Sequence, residues 1–299
     1  MEGKIVKTTT LDGLILQGFI SVPENNFERK ACVIHVHGSY GNFYKNFFLD
    51  NISSRLSKNG IGFFSIGTRG RDYYSDFKIK KEDGYDSKRI GSINEIFQEC
   101  RLDIDAWIKY AKELGFNKII LQGHSLGAMK VVYFSNNSDF KLSGIILISP
   151  PDIFGFQESN AGYRLHDNLR KAKELKEKDG LLLMPKETYF DIVSAQTYIS
   201  LFDTPKDTGM FTYSDVNLMR RAGMSKIDCP LLAIFATEHE AIINPIDYCI
   251  NSIRESISNN ADFSYIVIDG ANHGYHNKED RLASVISDWL IKNILLPKR

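Results

Sequence analysis

Lys118-Ile119-Ile120-Leu121-Gln122-Gly123-His124-Ser125-Leu126-Gly127 is the stretch that decides how this chain is read. Its first half is a short apolar run of strand type, and its second half sets a serine between two glycines. That is the Gly-x-Ser-x-Gly pattern of a nucleophile elbow, where a strand bends sharply into a helix. The bend leaves room only for small residues beside the serine and forces its hydroxyl out of the sheet. Because helix follows at once, the Leu126 backbone N–H and the positive end of the helix dipole face the same point. Ser125 is therefore the candidate nucleophile.

Working outward from the elbow, strand and helix patterns alternate. Residues 4–9 and 14–21 are β-rich runs joined at Asp12-Gly13, a hairpin signal. Further strand patterns lie at 31–36, 61–66, 144–149, 231–236 and 263–268. Helical spacing runs from about residue 43 to 58, where Asn59-Gly60 stops it, and from 93 to 114, where Gly115 does. Residues 126–134 predict the helix after the elbow, and 68–89 read as a charged, tyrosine-containing loop. This alternation predicts an α/β fold with a mainly parallel, eight-stranded sheet and helices on both faces. One segment breaks it. Residues 152–225 carry helix-like runs at 169–178 and 187–202, nine aromatic residues and no strand pattern. They read as a helical cap inserted above the sheet, with residues 1–151 and 226–299 as two parts of one core.

Lysine plus arginine equals aspartate plus glutamate at 37 each, so nothing suggests a polyanion-binding surface, and nucleic acid is an unexpected partner. Apolar runs such as 230–236 are far too short to span a bilayer. The start, Met1-Glu2-Gly3-Lys4, leads straight into a strand pattern without a signal-peptide core. The four cysteines (Cys32, Cys100, Cys229, Cys249) lack metal-type spacing, and Cys32 and Cys229 read as reduced core residues. The expectation is a cytoplasmic protein that binds no metal.

A serine hydroxyl is a weak nucleophile until a base takes its proton in the transition state. Among seven histidines, His35 lies within a strand, His124 is the variable residue of the elbow and His166 falls in the inserted segment. His273, in Gly270-Ala271-Asn272-His273-Gly274, follows the last strand, where a base would overhang the elbow; His276 is the alternative one turn on. The oxyanion needs two donors. One is the Leu126 amide; the other is assigned to Ser39 in His37-Gly38-Ser39-Tyr40, or to Tyr40 if that turn is shifted by one. The acid belongs after the penultimate strand, where Thr237-Glu238-His239-Glu240 offers no aspartate. Glu240 is favoured over Glu238 because it lies further into the loop, with Asp152 in reserve from the neighbouring strand. The order Ser125, Glu240, His273 is the one such folds use. In the 68–89 loop, Arg69 and Asp72 read as an ion pair shaping the loop, or else as groups meeting an anionic or aromatic substrate.

On these motifs the chain resembles the α/β-hydrolase superfamily over nearly its whole length. The stretches HVHGSYGNFYKNFF, RIGSINEIFQECRLDIDAWI, LQGHSLGAMKVVYF and LISPPD also resemble a narrower branch, the siderophore-esterase-like hydrolases. The resemblance implies cleavage of a carboxylic ester through an acyl-enzyme on Ser125, with a small-molecule ester or thioester substrate and no cofactor. Such families commonly carry an aspartate three residues beyond the penultimate strand, whereas this chain has His239 there. Two other readings use the same residues. One is an acyltransferase, thioesterase or cyclase that changes the fate of the acyl-enzyme. The other is a non-catalytic small-molecule binding protein on the same scaffold.

Overall fold

The computed structural model describes residues 2–23, 31–159, 164–189, 191–238, 240–259 and 261–296. Among the described residues there are ten strands, those of the main sheet built from short apolar or β-branched runs. They are β1 (Lys4–Thr9), β2 (Ile15–Ser21), β3 (Ala31–Val36), β4 (Gly62–Ile66), β5 (Asp76–Lys81), β6 (Gly84–Arg89), β7 (Lys118–His124), β8 (Gly144–Ile148), β9 (Leu231–Glu238) and β10 (Phe263–Asn272). Eight form one sheet in the order β1-β2-β4-β3-β7-β8-β9-β10. Only the β1–β2 and β2–β4 pairings are antiparallel; β4 through β10 run parallel across the sheet. The eight predicted strand runs are the eight sheet strands, with β7, β9 and β10 reaching further toward their C-terminal ends.

Alternation along each central strand builds two cores. Cys32, Ile34 and Val36 of β3 and Ile119 and Leu121 of β7 face one side; Ala31, Val33 and Ile120 face the other. The first face is covered by α2 (Cys100–Glu113), α3 (Leu126–Asn136) and α9 (Ile246–Ser256), and the second by α1 (Phe48–Lys58) and α10 (Glu279–Leu290). Between β8 and β9 lie α4 (Ile153–Ser159), α5 (Leu165–Lys178), α6 (Ala195–Phe202), α7 (Pro205–Thr208) and α8 (Val216–Arg221). Among the described residues none of that segment joins the sheet, and no helix of the protein is long and apolar enough to cross a membrane. All four cysteines are buried and unpaired.

Three expectations change. The helix expected from residue 43 starts only at Phe48, because the preceding residues close a turn: the Tyr44 amide donates to Asn42 Oδ1 and Lys45 Nζ to the Tyr40 carbonyl. The helix expected from residue 93 begins at Cys100 after a short 3-10 turn. Residues 93–95 instead run alongside the insertion, where the Ile93 carbonyl accepts from the Ser194 amide and the Thr197 hydroxyl. The 68–89 loop contains the β5–β6 hairpin. Within it Arg69 is buried and does not pair with Asp72. Its guanidinium donates to Asp103, Glu99 and Asp12, while Asp72 accepts from Asn42 Nδ2, so Arg69 is equally withheld from a substrate anion. Two of these partners, Asp103 on α2 and Glu99 just before it, lie some thirty residues away in sequence and are brought close only by the fold.

Candidate active site

At the end of β7 the chain turns through Ser125 with φ 55° and ψ −128°, a left-handed conformation unusual for a residue with a Cβ. A Cβ on Gly123 would overlap the Gly127 carbonyl, and one on Gly127 would overlap that of Val36, so this bend tolerates no larger residue at either place. Ser125 is held by its own backbone: its amide donates to Ile148 and its carbonyl accepts from Ala128 at the start of α3.

The loop after β3 meets the elbow closely. A Cβ on Gly38 would stand 2.9 Å from Ser125 Cβ and 3.4 Å from its Oγ, so glycine lets the loop backbone touch the serine. His37 fixes the turn, accepting from the Thr68 amide at Nε2 and donating from Nδ1 to the Gly38 carbonyl. Burial holds its pKa down to about 3, so it stays neutral. The Tyr40 amide donates to Ser92 Oγ at 2.8 Å, which removes the shifted alternative for the oxyanion donor. Among the described residues the Ser39 and Leu126 amides have no hydrogen-bond partner.

His273 lies just beyond β10, and its Nδ1–H donates to Glu240 Oε2 at 2.8 Å, leaving Nε2 as an acceptor. The other carboxylate oxygen, Oε1, accepts from the Ser149 hydroxyl at 2.6 Å and the Ala236 amide at 2.7 Å. The Glu240 side chain is 5% exposed and that of His273 29%, so the pair runs from the interior to an accessible imidazole. Glu238 is exposed at the end of β9. Asp152 lies off the histidine: its Oδ1 accepts from the Gly155 amide at the start of α4. His239, at the position where an aspartate is usual, lies outside the described residues. His276 packs its ring on Phe47 and meets Asn272, and His166 sits on the exposed side of α5.

Ser125, Leu126, Ser39, Tyr40, Glu240 and His273 line one cavity of about 390 Å³. Its remaining wall is Pro151, Asp152 and Ala241 together with Ile153, Phe156, Gln157 and Tyr189 from the inserted segment. Three further residues support the site without a sequence signal. His124 donates from Nε2 to the His273 backbone carbonyl at 2.8 Å, tying the elbow to the histidine loop, and burial keeps its pKa well below the ordinary value. Ser149 and Tyr275 stand behind Glu240. The strand-end Ser149 and the elbow's variable position are ordinary sequence contexts, so only tertiary structure reveals what these side chains touch.

Fold and site together place the chain among proteins with the α/β-hydrolase fold. No protein-family model and no curated protein sequence matches it. Its structure is similar to that of Est1E from Butyrivibrio proteoclasticus, solved with ferulic acid bound, at a TM-score of 0.65 and 15% identity over 97% of this chain and 100% of that one. It is similar to the α/β hydrolase GrgF from Penicillium sp. sh18, with TM-score 0.62, 14% identity and coverage of 99% and 100%. A soluble variant of the Saccharomyces cerevisiae monoglyceride lipase, in complex with a substrate analogue, gives TM-score 0.64 and 14% identity over 98% and 97%. None of these bears on the narrower siderophore-esterase resemblance.

Proposed function

We propose that the protein is a cofactor-independent serine hydrolase acting on a small carboxylic ester. Ser125 attacks the ester carbonyl as His273 Nε2 takes its proton, and Glu240 keeps the imidazole in the tautomer that can accept it. The Ser39 and Leu126 amides receive the oxyanion, the more strongly for being aimed there before the charge develops. The imidazolium then protonates the leaving alcohol, and the same imidazole activates water to release the acid. The inserted helices act as a cap. The observation that carries this reading is the one cavity lined together by a serine at positive φ, by Ser39 and Leu126, whose amides have no partner among the described residues, and by a carboxylate-bonded histidine. At about 390 Å³ it lies toward the small end of the roughly 300–1,000 Å³ typical of ligand pockets. Its mostly apolar wall suits an ester with a compact apolar acyl or alcohol group. The names of the neighbours point the same way, since one is a lipase and another holds an aromatic carboxylic acid.

Ser125→Ala is the test. Turnover of a panel of p-nitrophenyl esters is expected to fall by on the order of 10⁴- to 10⁶-fold, with loss of stoichiometric labelling by a fluorophosphonate. Unchanged turnover in that variant rejects the assignment. Adding an alcohol or amine nucleophile to the wild-type assay separates the two fates of the acyl-enzyme, because hydrolysis alone gives no nucleophile-dependent product.

A further inference from the structure

Strain is concentrated around this site. Among the described residues six non-glycine residues have positive φ: Tyr40, Asp72, Ser125, Ser149, Tyr275 and Asn277. Tyr40 and Ser125 line the cavity, and the two buried ones behind it, Ser149 at φ 48° and Tyr275 at φ 57°, hydrogen-bond to each other. Left-handed backbone is costly for any residue with a Cβ, and most of all for one as large as tyrosine. Glycine would relieve the cost at either position, so the side chains themselves are what the strain preserves.

We propose that Ser149 is a positioning residue for the histidine, acting through Glu240; the assignment rests on the serine-hydrolase reading. A carboxylate has no proton to give, so the 2.6 Å contact is Ser149 O–H donating to Glu240 Oε1. The Ser149 oxygen in turn lies 2.9 Å from the Tyr275 hydroxyl, which with the serine proton already committed is the donor in that pair. Two donations therefore run in series toward the carboxylate, each polarising the next. With the Ala236 amide also on Oε1, that oxygen is pinned twice, and Oε2 is left facing His273 Nδ1. A glutamate has three side-chain torsions, and without the Ser149 hydroxyl only the Ala236 amide restrains this end of it. Neither Ser149 nor Tyr275 lines the cavity, so neither bears on substrate binding directly.

Strain separates two variants by stability, while the lost hydroxyl lowers activity in both. Ser149→Gly relieves the left-handed backbone while deleting the hydroxyl. A melting temperature above that of Ser149→Ala is expected, with kcat lowered roughly 10- to 100-fold, the range for losing a hydrogen bond to a charged group, and KM within about twofold. Ser149→Ala deletes the same hydroxyl without relieving the backbone, so it should show the same kcat loss at a lower melting temperature. It carries the test if the glycine variant does not fold. Wild-type kcat in either variant, or a loss that appears in KM instead, overturns the proposal. Ser125→Ala run alongside separates the two levels. If it is inactive while Ser149→Gly turns over normally, only the role of Ser149 falls. If Ser125→Ala itself retains turnover, the hydrolase reading falls and this proposal with it.

Discussion

Glu240 shows how one methylene decides a site. It lies one residue beyond the position where an aspartate is usual, and the longer side chain reaches back so that Oε1 meets the Ala236 amide within β9 itself. Because Oε1 already accepts from two donors, only Oε2 can serve His273. This makes Glu240→Gln more damaging than loss of charge alone. The amide oxygen must take the Oε1 place, since the donors there cannot face an NH₂, so the NH₂ turns toward His273 Nδ1. The imidazole then carries its proton on Nε2 and cannot accept one from Ser125. A kcat loss on the order of 10³- to 10⁴-fold is expected, comparable to other triads in which an amide replaces the acid. Glu238→Gln, at an exposed strand end, should stay within about twofold of wild type, the size of effect expected for a surface substitution. Equal losses in the two variants would reject Glu240 as the acid.

At the scale of elements, five polar residues on the cavity are delivered by loops after parallel strands: Ser39 after β3, Ser125 after β7, Asp152 after β8, Glu240 after β9 and His273 after β10. Asp152 caps α4 through the Gly155 amide, yet its carboxyl is buried. Burial, the largest influence, pushes its pKa up to about 6 against the pull of the Gly155 N–H. The unfolded value is about 3.9, so between the two pKa values the folded protein binds the extra proton. Stability from this group therefore falls as pH rises from about 4 to about 6, and the penalty persists above that range. Asp152→Asn keeps an acceptor for the cap but cannot ionise. Its stability relative to wild type should rise by up to about 3 kcal/mol between pH 4 and pH 8, read from chemical denaturation at each pH. A pH-independent difference would show that the carboxyl is not held protonated. The same scale shows what a sequence can reveal. The sheet strands are legible because their buried faces demand apolar runs, as in Ala31–Val36. The β5–β6 hairpin is not, since Gly84–Arg89 is exposed at every residue and carries no alternation. Residues 93–97 mimic helix because Ile93 and Phe97 are buried, though the Ile93 carbonyl and the Phe97 amide hydrogen-bond to the insertion instead of closing helical turns. Ser125 and His273 announce themselves by turn and glycine context. The choice of Glu240 over Glu238 depends on where β9 ends and how far a side chain folds back, which no local pattern encodes.

Across the whole molecule, residues far apart in the chain converge at one edge of the sheet, and the segment between β8 and β9 closes over it. The proposed nucleophile comes from the first half of the core and the Glu240–His273 pair from the second; because β8 and β9 run parallel, the segment between them leaves the sheet at the edge that carries the cavity and returns to the opposite edge to start β9. In the proposed function that geometry divides labour: the loops after the core strands hold the proposed reacting groups, while Ile153, Phe156, Gln157 and Tyr189 line the space in front of them. Substrate range should then be adjustable from the insertion without disturbing the chemistry. Phe156 is the side chain to change, because it lines the cavity while remaining partly exposed, so truncation removes little of the core. Phe156→Ala is expected to raise kcat/KM for p-nitrophenyl octanoate relative to the acetate by about tenfold or more, the scale on which pocket volume discriminates apolar groups. Labelling of Ser125 by a small fluorophosphonate should proceed at the wild-type rate, because the groups around the oxyanion are untouched. If the octanoate-to-acetate ratio stays constant, or labelling slows in step with turnover, the insertion does more than bound the cavity, and Phe156 belongs with the residues that set the reacting geometry.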